Sequence, residues 1–132
     1  MSLAGEPLWL ARAEVDALHD ASIREFGGSP GIRDAGLIES GLARPINLWT
    51  YEPESDLADL AAAYAFGLAK NHGYIDGNKR IGFLSMGAFL FINDHLLEAP
   101  EPEAVLVMLE LAAGERSEAQ LATWIREHLQ PR

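Results

Sequence analysis

Nine consecutive residues, His72-Gly-Tyr-Ile-Asp-Gly-Asn-Lys-Arg80, bring together a general base, a hard carboxylate, a glycine turn, an amide and two cations. Histidine changes charge near neutrality, which suits His72 to take a proton from an attacking hydroxyl. Asp76 is the kind of oxygen ligand that Mg²⁺ takes once or twice alongside substrate phosphates. Gly77 lets the backbone turn and approach a ligand closely. Asn78 can donate to a phosphate oxygen or cap a helix. Lys79 supplies a point charge and Arg80 a planar fork that grips phosphate bidentately. Residues 81–93 read as a helix, whose first N–H groups lack intrahelical partners and sit at the positive end of the macrodipole. Two cations at that end are disfavoured unless an anion is present, which points to a bound polyphosphate. An isolated Asp-Gly-Asn-Lys is an ordinary turn. The combination instead describes phosphoryl or nucleotidyl transfer by positioning and charge neutralisation. No Gly-x-x-x-x-Gly-Lys-Ser/Thr loop and no kinase-type glycine loop occurs, so the scaffold must be a different one.

The elements that must position this loop read as helices throughout. The first runs from about Ala11 to Phe26, with Val15, Leu18, Ser22 and Phe26 at helical spacing and Gly27-Gly28 ending it. Gly28-Ser-Pro-Gly31 is a turn. Asp34 caps a short helix to Ala43, with Leu37, Ile38 and Leu42 inward, and Pro45 stops it. Ile46 to Ser55 reads as irregular. Asp56 caps a helix from Leu57 to Lys70 with Leu57, Leu60, Ala61, Tyr64 and Leu68 on one face, and Lys70 at its end is a candidate helper of His72. Asn78 to Asn93 is apolar on nearly all sides and reads as buried. Gly82 and Gly87 there suggest a close neighbour. Another helix starts at Pro100 and Pro102, turns Val105, Leu106, Leu109 and Ala112 inward, and ends at Gly114. Ser117-Glu-Ala-Gln120 is a capping box that opens the last helix. No strand pair stands out. His19, His95 and His128 read as surface or capping residues, since none has metal-ligand spacing with a carboxylate.

A chain of 132 residues, 48% apolar, fits one domain, 1–132, with residues 1–7 a loose leading segment and Met1-Ser2-Leu3 an expression remnant. No apolar run is long enough to span a bilayer and no secretory leader is evident, so neither membrane nor export is expected and the cytoplasm is. The absence of cysteine excludes disulfides and thiolate chemistry. A formal net charge of −10 argues against direct nucleic-acid binding and makes Lys79-Arg80 a local positive island.

The motif His72-x-Tyr74-x-Asp76-Gly77-Asn78-Lys79-Arg80 resembles the signature of the Fic/Doc superfamily. Fic proteins carry Gly where this chain has Lys79 and a final Arg where it has Phe83, and at both positions the chain resembles the death-on-curing (Doc) branch. Gly27-Gly-Ser-Pro-Gly-Ile-Arg-Asp34, Leu37-Ile-Glu-Ser-Gly-Leu-Ala-Arg-Pro45 and Leu111-Ala-Ala-Gly-Glu-Arg-Ser117 also resemble family segments. Two departures stand inside the motif. Gly73 replaces a common Pro and is expected to loosen the loop. Tyr74 replaces Phe, and its hydroxyl needs a partner if buried.

The resemblance implies an all-α, single-domain bundle of about six helices. It also implies ATP and Mg²⁺, with His72 as base, Asp76 as metal ligand, and Gly77, Asn78, Lys79 and Arg80 around the phosphates. It makes Ile46 to Ser55 the flap that borders the site and docks a target segment. Doc proteins are similar to Fic AMP transferases in fold but act as protein kinases on a threonine of elongation factor Tu, with an antitoxin whose C-terminal segment folds onto the toxin. The complete Ser/Thr-x-x-x-Glu-Gly/Asn self-inhibitory helix of many Fic enzymes is not found, which favours inhibition in trans. The reading is therefore a Doc-like toxin that transfers the γ-phosphate. Its alternatives are a Fic-type AMP transferase and a non-catalytic Fic-fold binding module.

Overall fold

A computed structural model describes residues 5–132, so the expected Met1-Ser2-Leu3 remnant lies outside the described residues. Six helices and one small sheet follow in order: α1 Arg12–Phe26, α2 Ala35–Tyr51, α3 Leu57–Asn71, α4 Asn78–Ile92, β1 His95–Leu97, α5 Glu101–Ala113, α6 Glu118–Glu127 and β2 Leu129–Pro131. The expected all-α bundle is therefore what forms.

Local chemistry sets most boundaries. The Asp34 side chain accepts from Leu37 N at 3.1 Å and opens α2. Asp56 and Asp59 exchange side-chain-to-backbone bonds at 2.9 and 3.1 Å, and Ser117 and Gln120 do the same at α6. Gly114, at φ 80°, closes α5 in the left-handed region that glycine adopts without a Cβ clash.

The central helix is α3, not α4. Leu60, Ala61, Ala62, Ala63, Tyr64 and Ala65 are all fully buried, so α3 is covered all round where the sequence suggested one face. Alanine is neutral in an amphipathic pattern, but its small size lets α2, α4 and α6 pack closely around one helix. On α4, by contrast, Phe91 is exposed, with Arg132 over its ring. Gly82 is a close approach: a Cβ there would lie 3.0 Å from the Ala65 carbonyl. Gly87 faces nothing within 4 Å, so it marks no crossing.

Pro45 does not stop α2, which runs on to Tyr51. Proline removes the N–H that would bond the Gly41 carbonyl, a loss that costs a helix interior about 3 kcal/mol. That carbonyl instead lies over Gly67 of α3, where a Cβ would stand 2.9 Å from it. The close crossing, with Ile38, Leu42 and Pro45 buried, carries the helix through. The segment expected to be irregular is thus helical to Tyr51. Trp49 packs edge-on against Trp9 at 6.3 Å, and Tyr51 is exposed.

One further expectation changes. β1 and β2 form an antiparallel pair, with Leu96 opposite Gln130, that no sequence periodicity announced because each strand has only three residues. After the leading segment the chain is docked: Leu8 exchanges two bonds with the Asn93 side chain, and Leu10 N donates to Tyr64 Oη at 3.0 Å.

Candidate active site

The motif occupies the connection between α3 and α4. His72 ends α3 in the left-handed conformation, φ 52° and ψ 48°, which turns its exposed side chain out of the helix. A non-glycine residue there is uncommon and is held by its surroundings. The surroundings are visible: Arg33 Nε donates to the His72 carbonyl at 2.7 Å and Arg33 Nη2 to that of Asn71 at 3.2 Å. A guanidinium at a helix C-terminus both satisfies orphan carbonyls and opposes the dipole.

Gly73 is wedged rather than loose. Its carbonyl accepts from Arg33 N and Asp34 N at 2.8 and 2.9 Å. A Cβ on it would overlap the Ile38 side chain and stand 2.9 Å from Ile38 N. The expectation that glycine loosens the loop is therefore corrected. Glycine is needed because α2 starts against this backbone. Tyr74 is buried, and its hydroxyl finds the partner it needs, donating to Asp16 Oδ1.

Asn78, 5% exposed, is a clamp. Its Oδ1 accepts from Tyr74 N at 3.0 Å and its Nδ2 donates to Tyr74 O at 2.9 Å. It is not the cap of α4; Gly77, at φ 75°, takes that position. Asn78 Nδ2 also lies 3.4 Å from His72 Nδ1, at the outer edge of hydrogen-bond range. His72 Nε2 is bonded to no group among the described residues.

Asp76 is exposed, and its carboxylate is held from both sides: Ser29 N donates to Oδ2 at 3.0 Å and Gly77 N to Oδ1 at 2.8 Å. The Ser29 N–H first and the Gly77 N–H second hold its pKa below the usual carboxylate range. The folded value lies below the unfolded one, so this anchoring is complete above the unfolded value and lost as pH falls through the folded one. An NMR titration of the Asp76 carboxyl should therefore show a midpoint below that of an ordinary aspartate. A midpoint at or above it would mean that the two N–H bonds do not form in solution.

Arg80 is partly engaged. Its Nη1 donates to Gly27 O at 3.0 Å and reaches Ser22 O at 3.5 Å, with Phe26 beneath the guanidinium. Carbonyls at the C-terminal end of α1 thus explain one of the two cations at the start of α4, so that charge by itself does not demand an anion. Lys79 is different: it is exposed and makes no bond or ion pair among the described residues. The N–H groups of Asn78, Lys79 and Arg80 likewise have no protein acceptor among the described residues. Three free N–H groups, a helix N-terminus and a free ammonium make an anion cradle.

His72, Asp76, Gly77, Asn78, Lys79 and Arg80 line one cavity of about 770 Å³, walled on the other side by Phe83, Leu84, Val105, Met108 and Leu109. This accounts for the face of α5. Val105, Leu106 and Leu109, expected inward, are half exposed, and Ala104, Val107, Met108 and Leu111 are buried instead. The helix is apolar nearly all round, so its periodicity does not choose a face. Lys70 turns away, donating to Ala112 O at 3.1 Å at the end of α5, and does not line the cavity.

The segment beside the motif is Gly27–Arg33, not Ile46–Ser55. Ile32 forms a β-bridge with Tyr74, and Ile75 N donates to Gly31 O at 3.1 Å. His19 is the other correction. Expected to be a surface or capping residue, it is 1% exposed, stacks on Tyr74 and bonds Asp76 O at 2.7 Å through Nε2. Its spacing of four from the core residue Val15 was the signal. His95 and His128 bond nearby carbonyls, as capping residues do.

The cradle fits a phosphate group. The carboxylate of Asp76, which has lone pairs beyond the two N–H bonds it accepts, fits a divalent cation. No group of three His, Asp or Glu side chains that could hold a metal occurs among the described residues. A cation here would therefore be shared with phosphate oxygens.

A helical bundle that aims a histidine, a carboxylate and a helix N-terminus into one cavity defines a group-transfer fold of a particular kind. The chain belongs to the Fic/DOC family, whose model matches residues 9–90, and sits in its death-on-curing branch. It is 34% identical over 114 residues to the protein kinase doc of Escherichia phage P1, covering 86% of this chain and 89% of that protein. It is 40% identical over 85 residues to the toxin Doc of Mycolicibacterium smegmatis, covering 64% of this chain and 65% of that protein. Among the described residues no helix is long and apolar enough to cross a membrane.

Proposed function

We propose that the protein is a Doc-like toxin of a toxin–antitoxin pair that transfers the γ-phosphate of ATP to a hydroxyl of a target protein. The observation that carries this reading is the single cavity shared by His72, the Asp76 carboxylate, the free N–H groups of α4 and the ammonium of Lys79. His72 takes the proton of the target hydroxyl, whose oxygen then attacks the γ-phosphorus as the bond to the β-phosphate oxygen breaks and ADP leaves. Asp76, kept ionised by the Ser29 and Gly77 N–H groups, holds Mg²⁺. Asn78, Lys79 and Arg80 receive phosphate oxygens at the start of α4, Asn78 through its backbone N–H because its side chain is occupied. ATP and Mg²⁺ supply the transferable phosphoryl group and neutralise its charge. A threonine of elongation factor Tu is the proposed acceptor, by similarity to the branch. An antitoxin segment binding the toxin is the proposed control, and the cytoplasm the proposed location.

Lys79 separates the two transfer chemistries. Its side chain lines the cavity beside the anion cradle, where a glycine would bring no charge, and Phe83 offers no second cation on the same helix. Both favour presentation of the terminal phosphate. The test incubates the protein with elongation factor Tu, Mg²⁺ and ATP labelled at either the γ- or the α-phosphate. Label from the γ-position alone is expected. Label from the α-position would make the protein an AMP transferase, and label from neither would leave another target or a binding module.

A further inference from the structure

His19 plays no part in the transfer chemistry outlined above, yet it is buried to 1% exposure beneath the loop that carries that chemistry. We infer that His19 is a positioning residue: by holding the Asp76 carbonyl it fixes the Asp76–Gly77 peptide and so aims the Asp76 carboxylate into the site. This rests on the proposed function for its catalytic consequence but not for its geometry.

The argument follows from one peptide plane. A carbonyl oxygen only accepts, so His19 Nε2, 2.7 Å from Asp76 O, carries the proton and donates. The peptide unit that contains this carbonyl also contains the Gly77 N–H, which points the opposite way within one rigid plane. That N–H donates to Asp76 Oδ1 at 2.8 Å. Oδ2 accepts from Ser29 N at 3.0 Å, and a Cβ on Gly28 would come within 2.8 Å of it. Gly77, at φ 75° and without a Cβ, offers little resistance to rotation of this peptide. If the plane turned, the Gly77 N–H would leave the carboxylate and the carboxylate would leave the Ser29 turn. The only side chain bonded to the Asp76 carbonyl among the described residues is His19.

The imidazole is itself fixed. It stacks on Tyr74 with centroids 3.8 Å apart and planes 13° from parallel. The Tyr74 hydroxyl donates to Asp16 Oδ1, Arg12 pairs with Asp16 at 3.0 Å, and Arg12 reaches Glu39 of α2 at 2.8 Å. The brace therefore runs from α2 across α1 to the site. A buried imidazole is costly unless its polar atoms are used, and this one is used on the loop.

The test compares His19→Leu, which keeps bulk and removes the donor, with His19→Gln, which restores an N–H donor. Backbone amide exchange at Gly77 and Ser29 is read without nucleotide, so the result does not depend on whether transfer occurs. His19→Leu should speed exchange at these two amides about tenfold, the order of one lost hydrogen bond, while the amides of α3 and the melting temperature stay close to wild type. His19→Gln should restore most of the protection. With γ-labelled ATP, His19→Leu should also raise the Mg²⁺ concentration needed for half-maximal transfer. Unchanged exchange at Gly77 and Ser29 would overturn the inference. Loss of protection spread evenly over α1, α3 and α4 would overturn it too, because His19 would then only fill the core. If the wild type transfers no label to elongation factor Tu, the proposed acceptor fails while the exchange result still decides the role of His19.

Discussion

His72→Ala is expected to lower phosphate transfer by about 10²–10⁴-fold, the usual contribution of a positioned general base. The fold should be untouched. His72 is exposed, its Nε2 bonds nothing among the described residues, and its carbonyl, which Arg33 holds at 2.7 Å, survives the substitution. Alanine meets the same left-handed φ of 52° that histidine already tolerates, so the backbone strain is little changed. Stability should stay within roughly 0.5 kcal/mol, as for most surface substitutions. Initial rates with γ-labelled ATP and a thermal melt on the same preparation check both halves. In cells, expression of the chain alone should arrest growth and expression of His72→Ala should not. Transfer at the full rate by His72→Ala would remove the base assignment and leave charge neutralisation by Lys79, Arg80 and a cation held by Asp76 as the whole of the catalysis.

Gly73→Ala should unsettle both fold and activity. The new Cβ would meet the Ile38 side chain, stand 2.9 Å from Ile38 N and lie 3.2 Å from Asp34 O. Two of these are backbone atoms at the start of α2, and no rotamer change moves them. Either α2 or the loop must give way. Forcing extra volume into a packed site typically costs about 1–3 kcal/mol, and for a domain of this size roughly 4 °C of melting temperature follows each kcal/mol. The Gly73 carbonyl holds Arg33 N and Asp34 N, so movement also disturbs the arm that caps His72. Thermal melts and transfer rates should therefore fall together. An unchanged melting temperature would show that Ile38 yields easily and that glycine is incidental. Gly73 lies outside the positive-φ region, so the substitution tests space and not backbone conformation.

Much of this molecule was legible in its sequence, and the parts that were not share a cause. The starts of α2, α3 and α6 were readable because Asp34, Asp56 and Ser117 bond backbone groups three residues away. The motif loop was readable because its chemistry is carried by side chains that adjoin one another. Pro45 misled because its effect on a helix is local, whereas the packing of Gly41 on Gly67 that overrides it is not. α5 misled because a helix apolar on nearly every side offers two faces to the core, and only the position of α3, α4 and α6 selects one. The flap was placed on Ile46–Ser55, when the backbone that bonds the loop belongs to Gly27–Arg33.

The sequence by itself determined which groups stand together: a histidine, a carboxylate and two cations ahead of a helix, on a bundle of six helices. Those choices are written in residue type and in hydrogen bonds that span four residues or fewer. Only the tertiary structure decided how the groups are held and which of them are free. It tied Arg80 to the end of α1 and left Lys79 open to the cavity. It placed Arg33 on the His72 carbonyl and set His19 against a carbonyl 57 residues away. Such contacts depend on the direction in which whole helices cross, and that is settled by the burial of the entire core rather than by any stretch of neighbouring residues.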